Sequence, residues 1–519
     1  MIFYIYAIFY KADFAYYDED AFLLFKMLSG ADFPTNITPR TGGRFYPLAG
    51  AEFNIINDFV NTPKGYHAYP VLQLIIFILG LFWFLRDFQI WFRLSTIMLI
   101  VTNPSFVISF FGLVYPERNL IFWIFIFLLS FQSFTQKKSP WFFAGTLISA
   151  QIILYTKEPI FLMIGTFATS RLIIEFYRQQ VSYNFTQILK FLRNHFPEIS
   201  LLFLAGIFAL IYFTIYPIFS ANSTESSYAS TRAIGYLEVL SNYFYTDLLL
   251  IVFLLAIVIR AAYLIKYKKY PDSFYDPLAL AAVVYFLVFL KLQIFSRYYM
   301  APVNLIAILY LSRFVYSWIQ GKRFSRVLAL FLIFIFIFLR NASYSFFHVV
   351  ERKNLITAKV RLYQFLKDYQ KETQSQKIYL FFPYAHRFFK VNPLWTVGEL
   401  TTFLEYKGLN IRGNLGMENE GVEFIVKLPT HSVNNQPMAY GEPRFYYGER
   451  PESGDIVIVL PDDDVSRQEI NQMKQEAELL WHYEHQLFPL AKNLISIFMM
   501  DKVVFMPYKA SGIYVFRWP

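Results

Sequence analysis

Long apolar runs separated by short polar junctions fill the first two-thirds of the chain, and then the pattern stops. About ten runs lie at 70–86, 94–111, 119–134, 141–156, 159–177, 199–219, 246–265, 277–294, 299–316 and 327–341, with a first segment ahead of them at the amino end. Most approach the ~20 residues that cross ~30 Å of hydrocarbon as a helix. From about Ser345 the pattern becomes that of a soluble α/β fold. Lys377 to Phe382 and Asp455 to Leu460 read as strands, the second one buried. Gly398 to Tyr406 and Ser466 to Tyr483 read as helices, and Gly512 to Arg517 as a closing strand. The expectation is a membrane α-helical protein of about eleven transmembrane helices over 1–341, followed by a soluble α/β domain over 342–519.

The first segment fits least well. Met1 to Tyr10 makes only ~15 Å of helix, and extending it to Tyr17 admits Lys11 and Asp13. Either those residues sit near the interface or upstream residues are missing. The segment lacks the basic start and small-residue cleavage site of a signal peptide.

Charge placement orients the bundle. Basic residues cluster at Arg86 with Arg93, at Gln136-Lys137-Lys138, from Arg178 to Arg193, from Lys266 to Lys269, and at Lys322-Arg323 with Arg326. These are alternate loops, so the positive-inside rule puts all five in the cytoplasm. The first outer loop (11–69), the junctions 112–118, 156–158, 220–245 and 295–298, and the terminal domain then lie outside. The formal charge of +10 is explained by this topology without nucleic acid. Composition agrees: 56% of residues are apolar and 16% charged, against about a quarter charged in soluble domains. With no cysteine, disulfides and Cys-based metal sites are excluded.

On the outer face the chain carries Asp18-Glu19-Asp20, three carboxylates directly after the first apolar segment. Asp18 can cap a helix running to about Leu28, with Glu19 and Asp20 in its first turn. Capping needs one acid, so Asp18 and Glu19 are candidates for a catalytic base. Other outer junctions hold Glu117-Arg118, Lys157-Glu158 and Arg297-Tyr298. Residues 220–232 form a polar outer loop, a candidate lid.

Tyr17-Asp18-Glu19, Leu154-Tyr155-Thr156-Lys157-Glu158-Pro159 and Ser296-Arg297-Tyr298-Tyr299-Met300-Ala301-Pro302 carry a resemblance. In that order they resemble the Asp-Glu start of the first outer loop, the Thr-Lys-x-Pro junction, and the late Arg-Tyr segment with its following Pro in GT-C glycosyltransferases. That group includes protein O-mannosyltransferases and lipid A aminoarabinose transferases. The resemblance covers about 1–341. It departs in the short first segment and the third acid, Asp20, and leaves open which carboxylate is the base.

The resemblance implies transfer of a sugar from a polyprenyl-phosphate carrier to a lipid, glycan or protein acceptor, with inversion, at the outer face of a bacterial inner membrane. Such transfer needs a base for the acceptor hydroxyl and cationic partners for the departing phosphate. Arg297, Lys157, Arg118 and Arg44 are the donor-phosphate candidates. Each has a plainer reading: Arg297 and Lys157 as headgroup contacts, and Arg44, in Gly42-Gly43-Arg44-Phe45, as part of a turn. Glu117, Glu158 and Tyr298 are substrate-binding candidates. The two acids could instead pair with Arg118 and Lys157, and Tyr298 could belong to an interfacial belt. Asp18 and Asp20 could hold a divalent metal, Mg²⁺ or Mn²⁺, since some members of the group use one and others do not.

Two further patterns read as structural. Asp462-Asp463-Asp464 after a strand mimics nucleotide-sugar enzymes but reads as a turn capping the next helix. His482 and His485, at i,i+3 on an expected helix, have no evident further ligands. Rival functions are a polymerase or ligase acting on polyprenyl-diphosphate-linked polysaccharide, a transporter of lipid-linked glycans, and a scaffold subunit. A transporter would show charged or broken helices at the midplane. Sugar, acceptor, carrier length and oligomeric state are not encoded in any motif.

Overall fold

The computed structural model describes residues 2–10, 12, 45–60, 62–113, 115–181, 184–215, 235–319, 324–373, 377–381, 400, 403–404, 406–409, 423–427, 451–459, 464–484 and 512–519. The chain divides into two compact units. Of the described residues, the first comprises 45–59 and 68–345, and the second 2–12, 60–67 and 346–519.

Apolar sequence becomes helix throughout the first unit. Among the described residues seven helices are long and apolar enough to cross a membrane: Pro63–Phe84, Pro116–Lys137, Ile160–Arg178, Phe196–Thr214, Leu248–Tyr267, Tyr298–Ile319 and the Phe331–Val350 window of the helix Phe324–Thr373. A bent pair, Ile90–Val101 with Pro104–Phe111, raises the number to eight if it is one span. These helices place the chain among α-helical membrane proteins. Two more apolar helices, Pro140–Thr156 and Tyr275–Lys291, have 17 residues each, and Ile2–Tyr10 has nine. The expected eleven apolar segments thus all contain helix, but only seven or eight have spanning length. Lipid-facing stripes are explicit: Leu72, Ile76, Leu79 and Trp83 are all exposed, at spacings that put them on one helical face.

Two departures from the sequence expectation have local causes. The run 94–111 breaks at Thr102-Asn103, where the two halves bend by 62°. Pro104 has no N–H to continue the ladder and forces Asn103 out of helical geometry, to φ −65°, ψ 133°. Asn103 then caps the second half, accepting the Ser105 N–H at 2.9 Å. The last apolar run does not end at 341. Its helix continues to Thr373 because Ala358, Leu362 and Leu366 maintain a buried helical stripe.

The bundle has two distinguishable polar ends. At one, Arg86 donates to Gln136, Arg171 donates to the Ser273 carbonyl, and Arg260 pairs with Asp276. Arg171 lies over the Phe131 ring and Phe88 packs against Tyr316, so the loops after residues 85, 137, 178 and 267 belong to one end. At the other, Leu48 N–H donates to Tyr155 O, and Tyr115 packs on Tyr298 with ring centroids 4.4 Å apart. Tyr243 donates to Ile294 O, and Ser345 to Thr102 O. Four of the five basic loops therefore share one end; Lys322 and Arg323 lie outside the described residues.

The second unit is a five-stranded sheet of order β2-β1-β3-β5-β4, with β1 Lys377–Phe381, β2 Glu423–Lys427, β3 Ile456–Val459, β4 Glu478–Glu484 and β5 Gly512–Arg517. β1 runs parallel to β2 and β3, while β5 runs antiparallel to β3 and β4. Alternate residues face opposite layers. Ile378, Ile456, Ile458 and Val515 pack on Leu362 and Leu366 with Phe403 and Leu404, and Val457, Val459 and Phe516 pack on Ile470 and Met473. The expected helix Ser466 to Tyr483 is corrected: helix runs from Asp464 to Glu476 and the chain then forms β4. Leu479-Leu480-Trp481-His482-Tyr483 is rich in strand-favouring residues and gains a ladder with β5. His482 is consequently a strand residue beside Tyr514, not half of a helical pair, and His485 lies outside the described residues.

Candidate functional site

Helix ends bring the polar junctions of the first unit together. Pro116 occupies the first turn of Pro116–Lys137, which sets Glu117, Arg118 and Asn119 at its start, where the dipole favours an acid. Pro159 disfavours helix at Glu158, so the helix Pro140–Thr156 ends with Lys157 extended at φ −155°, ψ 126°. Between the two helices Lys138 takes a left-handed conformation and reverses the chain. The hairpin so formed carries Glu117 and Lys157 to the same end.

There Lys157 Nζ lies 2.5 Å from Glu117 Oε1, with both side chains buried. Nζ also sits 3.9 Å above the centre of the Tyr299 ring, in the turn Tyr298–Met300 that opens a late helix. Glu117 Oε2 is buried without a hydrogen-bond partner among the described residues. Glu158 Oε1 accepts the Phe45 backbone N–H at 3.1 Å, fastening the segment 45–59 to the hairpin.

Arg118 is wholly buried, and its guanidinium is engaged in three directions. Nε donates to Gln73 Oε1 at 3.0 Å, Nη1 to Leu113 O at 2.6 Å, and Nη2 to Glu52 Oε1 at 3.1 Å. Tyr69 and Phe53 lie against its faces, at 5.3 and 5.8 Å. Asn119 Nδ2 donates to the same Glu52 oxygen at 2.5 Å, while Asn119 Oδ1 accepts from Gln73 at 2.8 Å. Arg118 thus supports Glu52 in this arrangement.

A second polar group lies at the helix break. Asn304 Nδ2 donates to Asp247 Oδ2 at 2.7 Å, to Ser105 Oγ at 3.0 Å and to Asn103 Oδ1 at 3.3 Å. Asp247 caps Leu248–Tyr267 by accepting the Leu250 N–H. Burial pushes the Asp247 carboxyl above its ordinary value, outweighing its bond from Asn304 and the nearby guanidinium groups of Arg340 and Arg297. Arg297 itself lies 3.7 Å above the Tyr344 ring, and Arg340 donates to Tyr245 O.

Thus Glu117, Lys157 and Tyr299 meet directly, with Tyr298 beside them against Tyr115. Arg297 belongs with the Asp247 group and connects to Lys157 through the Tyr298–Tyr299 turn. Compared with known proteins, the chain matches no family model, no curated protein and no solved structure. The chemistry therefore rests on the residues themselves.

Asp18, Glu19, Asp20 and Arg44 lie outside the described residues. Among the described residues, no group of three or more His, Cys, Asp or Glu could hold a metal ion. Sequence reasoning missed Glu52, Gln73, Asn119, Asp247 and Asn304. Two signals were present: Asp247 immediately precedes a strongly apolar run, as an N-cap does, and Asn103-Pro104 is a helix boundary. Glu52 had none beyond being an acid in an apolar stretch.

Proposed function

We propose that the chain is an inverting glycosyltransferase of GT-C type that moves a sugar from a polyprenyl-phosphate carrier to a lipid, glycan or protein acceptor at the outer face of a bacterial inner membrane. The supporting observation is convergence. Lys157 and the Arg297-Tyr298 segment, remote in sequence and both within motifs of the resemblance, come together at the bundle end opposite the described basic loops, through Lys157 above Tyr299. On this reading Asp18 or Glu19 takes the acceptor hydroxyl proton as its oxygen bonds to the anomeric carbon. The carrier phosphate departs with the bonding electrons of its glycosidic bond, and Lys157 and Arg297 balance its charge. On the same reading the apolar segments make up a transmembrane domain, and the second unit lies outside.

Asp18→Asn, Glu19→Gln and Asp20→Asn proteins assayed for transfer from labelled polyprenyl-phosphate sugar test the assignment. Loss of the base lowers turnover by about 10²–10⁴-fold. Full activity in all three variants would refute it.

A second reading, a transporter of lipid-linked glycans, calls for a broken helix at the midplane, whereas the 62° break at Thr102-Asn103 lies towards the polar end that Ser345 and Thr102 share. In sealed vesicles a transporter moves labelled lipid-linked glycan between leaflets without acceptor, whereas a transferase consumes donor only when acceptor is supplied.

A further inference from the structure

Glu52 has an asymmetric environment. Its Oε1 accepts from two held donors, Arg118 Nη2 at 3.1 Å and Asn119 Nδ2 at 2.5 Å. No partner for Oε2 occurs among the described residues, and the side chain is 14% exposed while that of Arg118 is 0% exposed. Three buried groups, Arg118, Asn119 and Gln73, are thereby organised around one carboxylate with an accessible edge.

Fastening the segment 45–57 does not require that arrangement. Leu48 N–H to Tyr155 O, Phe45 N–H to Glu158 and the buried Phe53 side chain already hold it. An apolar residue at 52 would fasten it without a desolvated guanidinium partner. What the arrangement adds is an ionised acceptor with fixed orientation, its charge balanced from behind by Arg118. A carboxylate accepts only, and the hydroxyl groups of a sugar are donors that such an acceptor can take.

We infer that Glu52 receives hydroxyl hydrogens of the donor's sugar, with Arg118 and Asn119 as the positioning residues that aim it. This rests on the glycosyltransferase reading and adds to it a sugar-recognition residue outside the motifs that suggested that reading.

The test compares two lipids on the full-length protein in nanodiscs: decaprenyl phosphate carrying mannose, glucose or galactose, and bare decaprenyl phosphate. The wild type is expected to bind at least one glycosylated lipid more tightly than the bare lipid. Glu52→Gln keeps the side-chain shape and an acceptor for Arg118. It is expected to weaken binding of that glycosylated lipid by about tenfold or more, from loss of a charge-assisted hydrogen bond, and to leave the bare lipid unchanged. Asn119→Ala should shift the same ratio in the same direction by less. An unchanged ratio in Glu52→Gln overturns the inference and leaves the glycosyltransferase reading standing. Equal weakening of both lipids, or failure of both variants to fold, assigns Glu52 a purely structural role and overturns it as well. Wild-type protein that neither discriminates among these lipids nor turns any of them over overturns both.

Discussion

Buried cations meet buried carboxylates at both ends of the helical bundle, yet the two ends complete their bonding differently. At the basic-loop end Arg171 donates to Glu198 at 2.5 Å and to the Ser273 carbonyl, and His195 lies 3.7 Å from the same carboxylate. Asp276 accepts from Asp272 N–H and Tyr310 and faces Arg260. Asp276 thus meets donors at both oxygens, whereas Glu198 takes Arg171 and His195 on Oε1. At the opposite end Glu117 keeps one buried oxygen without a partner among the described residues, and Glu52, 14% exposed, takes both its donors on Oε1. Closed networks hold helices together; incomplete ones leave valence for a ligand. The clearest contrast is between Asp276, met on both oxygens, and Glu117, whose second buried oxygen has no partner among the described residues.

Removing one cation at each end sharpens the contrast most. Lys157→Ala leaves Glu117 buried and uncompensated, and is expected to cost about 3–5 kcal/mol of stability and abolish transfer. Arg171→Ala should destabilise by a similar amount but leave donor affinity of the remaining folded protein unchanged. Thermal unfolding in detergent together with donor titration measures both; an Arg171 effect on affinity would break the distinction. Replacing both partners separates pairing from function. Lys157→Met with Glu117→Gln should recover much of the lost stability without recovering turnover, because paired neutral groups remove the buried-charge penalty.

Asp247 gives a smaller effect with a definite sign. Its folded-state pKa is raised, so folded protein holds the proton more tightly than unfolded protein. The contribution to stability is fully present below the ordinary carboxyl value and is lost as pH rises from there through the raised folded value. Asp247→Asn should therefore stabilise the protein by about 1–3 kcal/mol at neutral pH and not in acid, as unfolding midpoints across pH would record. A midpoint difference independent of pH would contradict that sign. Smallest of all, Arg178→Ala removes a pair with Glu175 at 3.8 Å whose arginine is half-exposed, and should change stability by at most about 1 kcal/mol.

The sequence was most legible where a single physical rule dominates. Apolar runs became helices, and Lys377–Phe381, Ile456–Val459 and Gly512–Arg517 became strands because short apolar runs bounded by turn residues have few other outcomes. Strand β4 was misread because Leu479 to Tyr483 suits either period, and only its ladder with β5 decides between them. β2 was overlooked for the same reason, its partner lying far off in sequence. In the candidate site, junction residues flanked by prolines were visible, since proline ends helices predictably. Glu52 and Asn304 were not, because their roles depend on partners more than fifty residues away.

The hairpin Pro116–Thr156 has a consequence for assembly. Glu117 and Lys157 stand forty residues apart in sequence but at one end in space, so they neutralise each other as soon as the helices align. Translocating a lone charge into hydrocarbon costs about 2.5–3.5 kcal/mol per residue at mid-membrane. Buried as a pair, Glu117 and Lys157 spare the bundle the cost that either charge alone would carry into it.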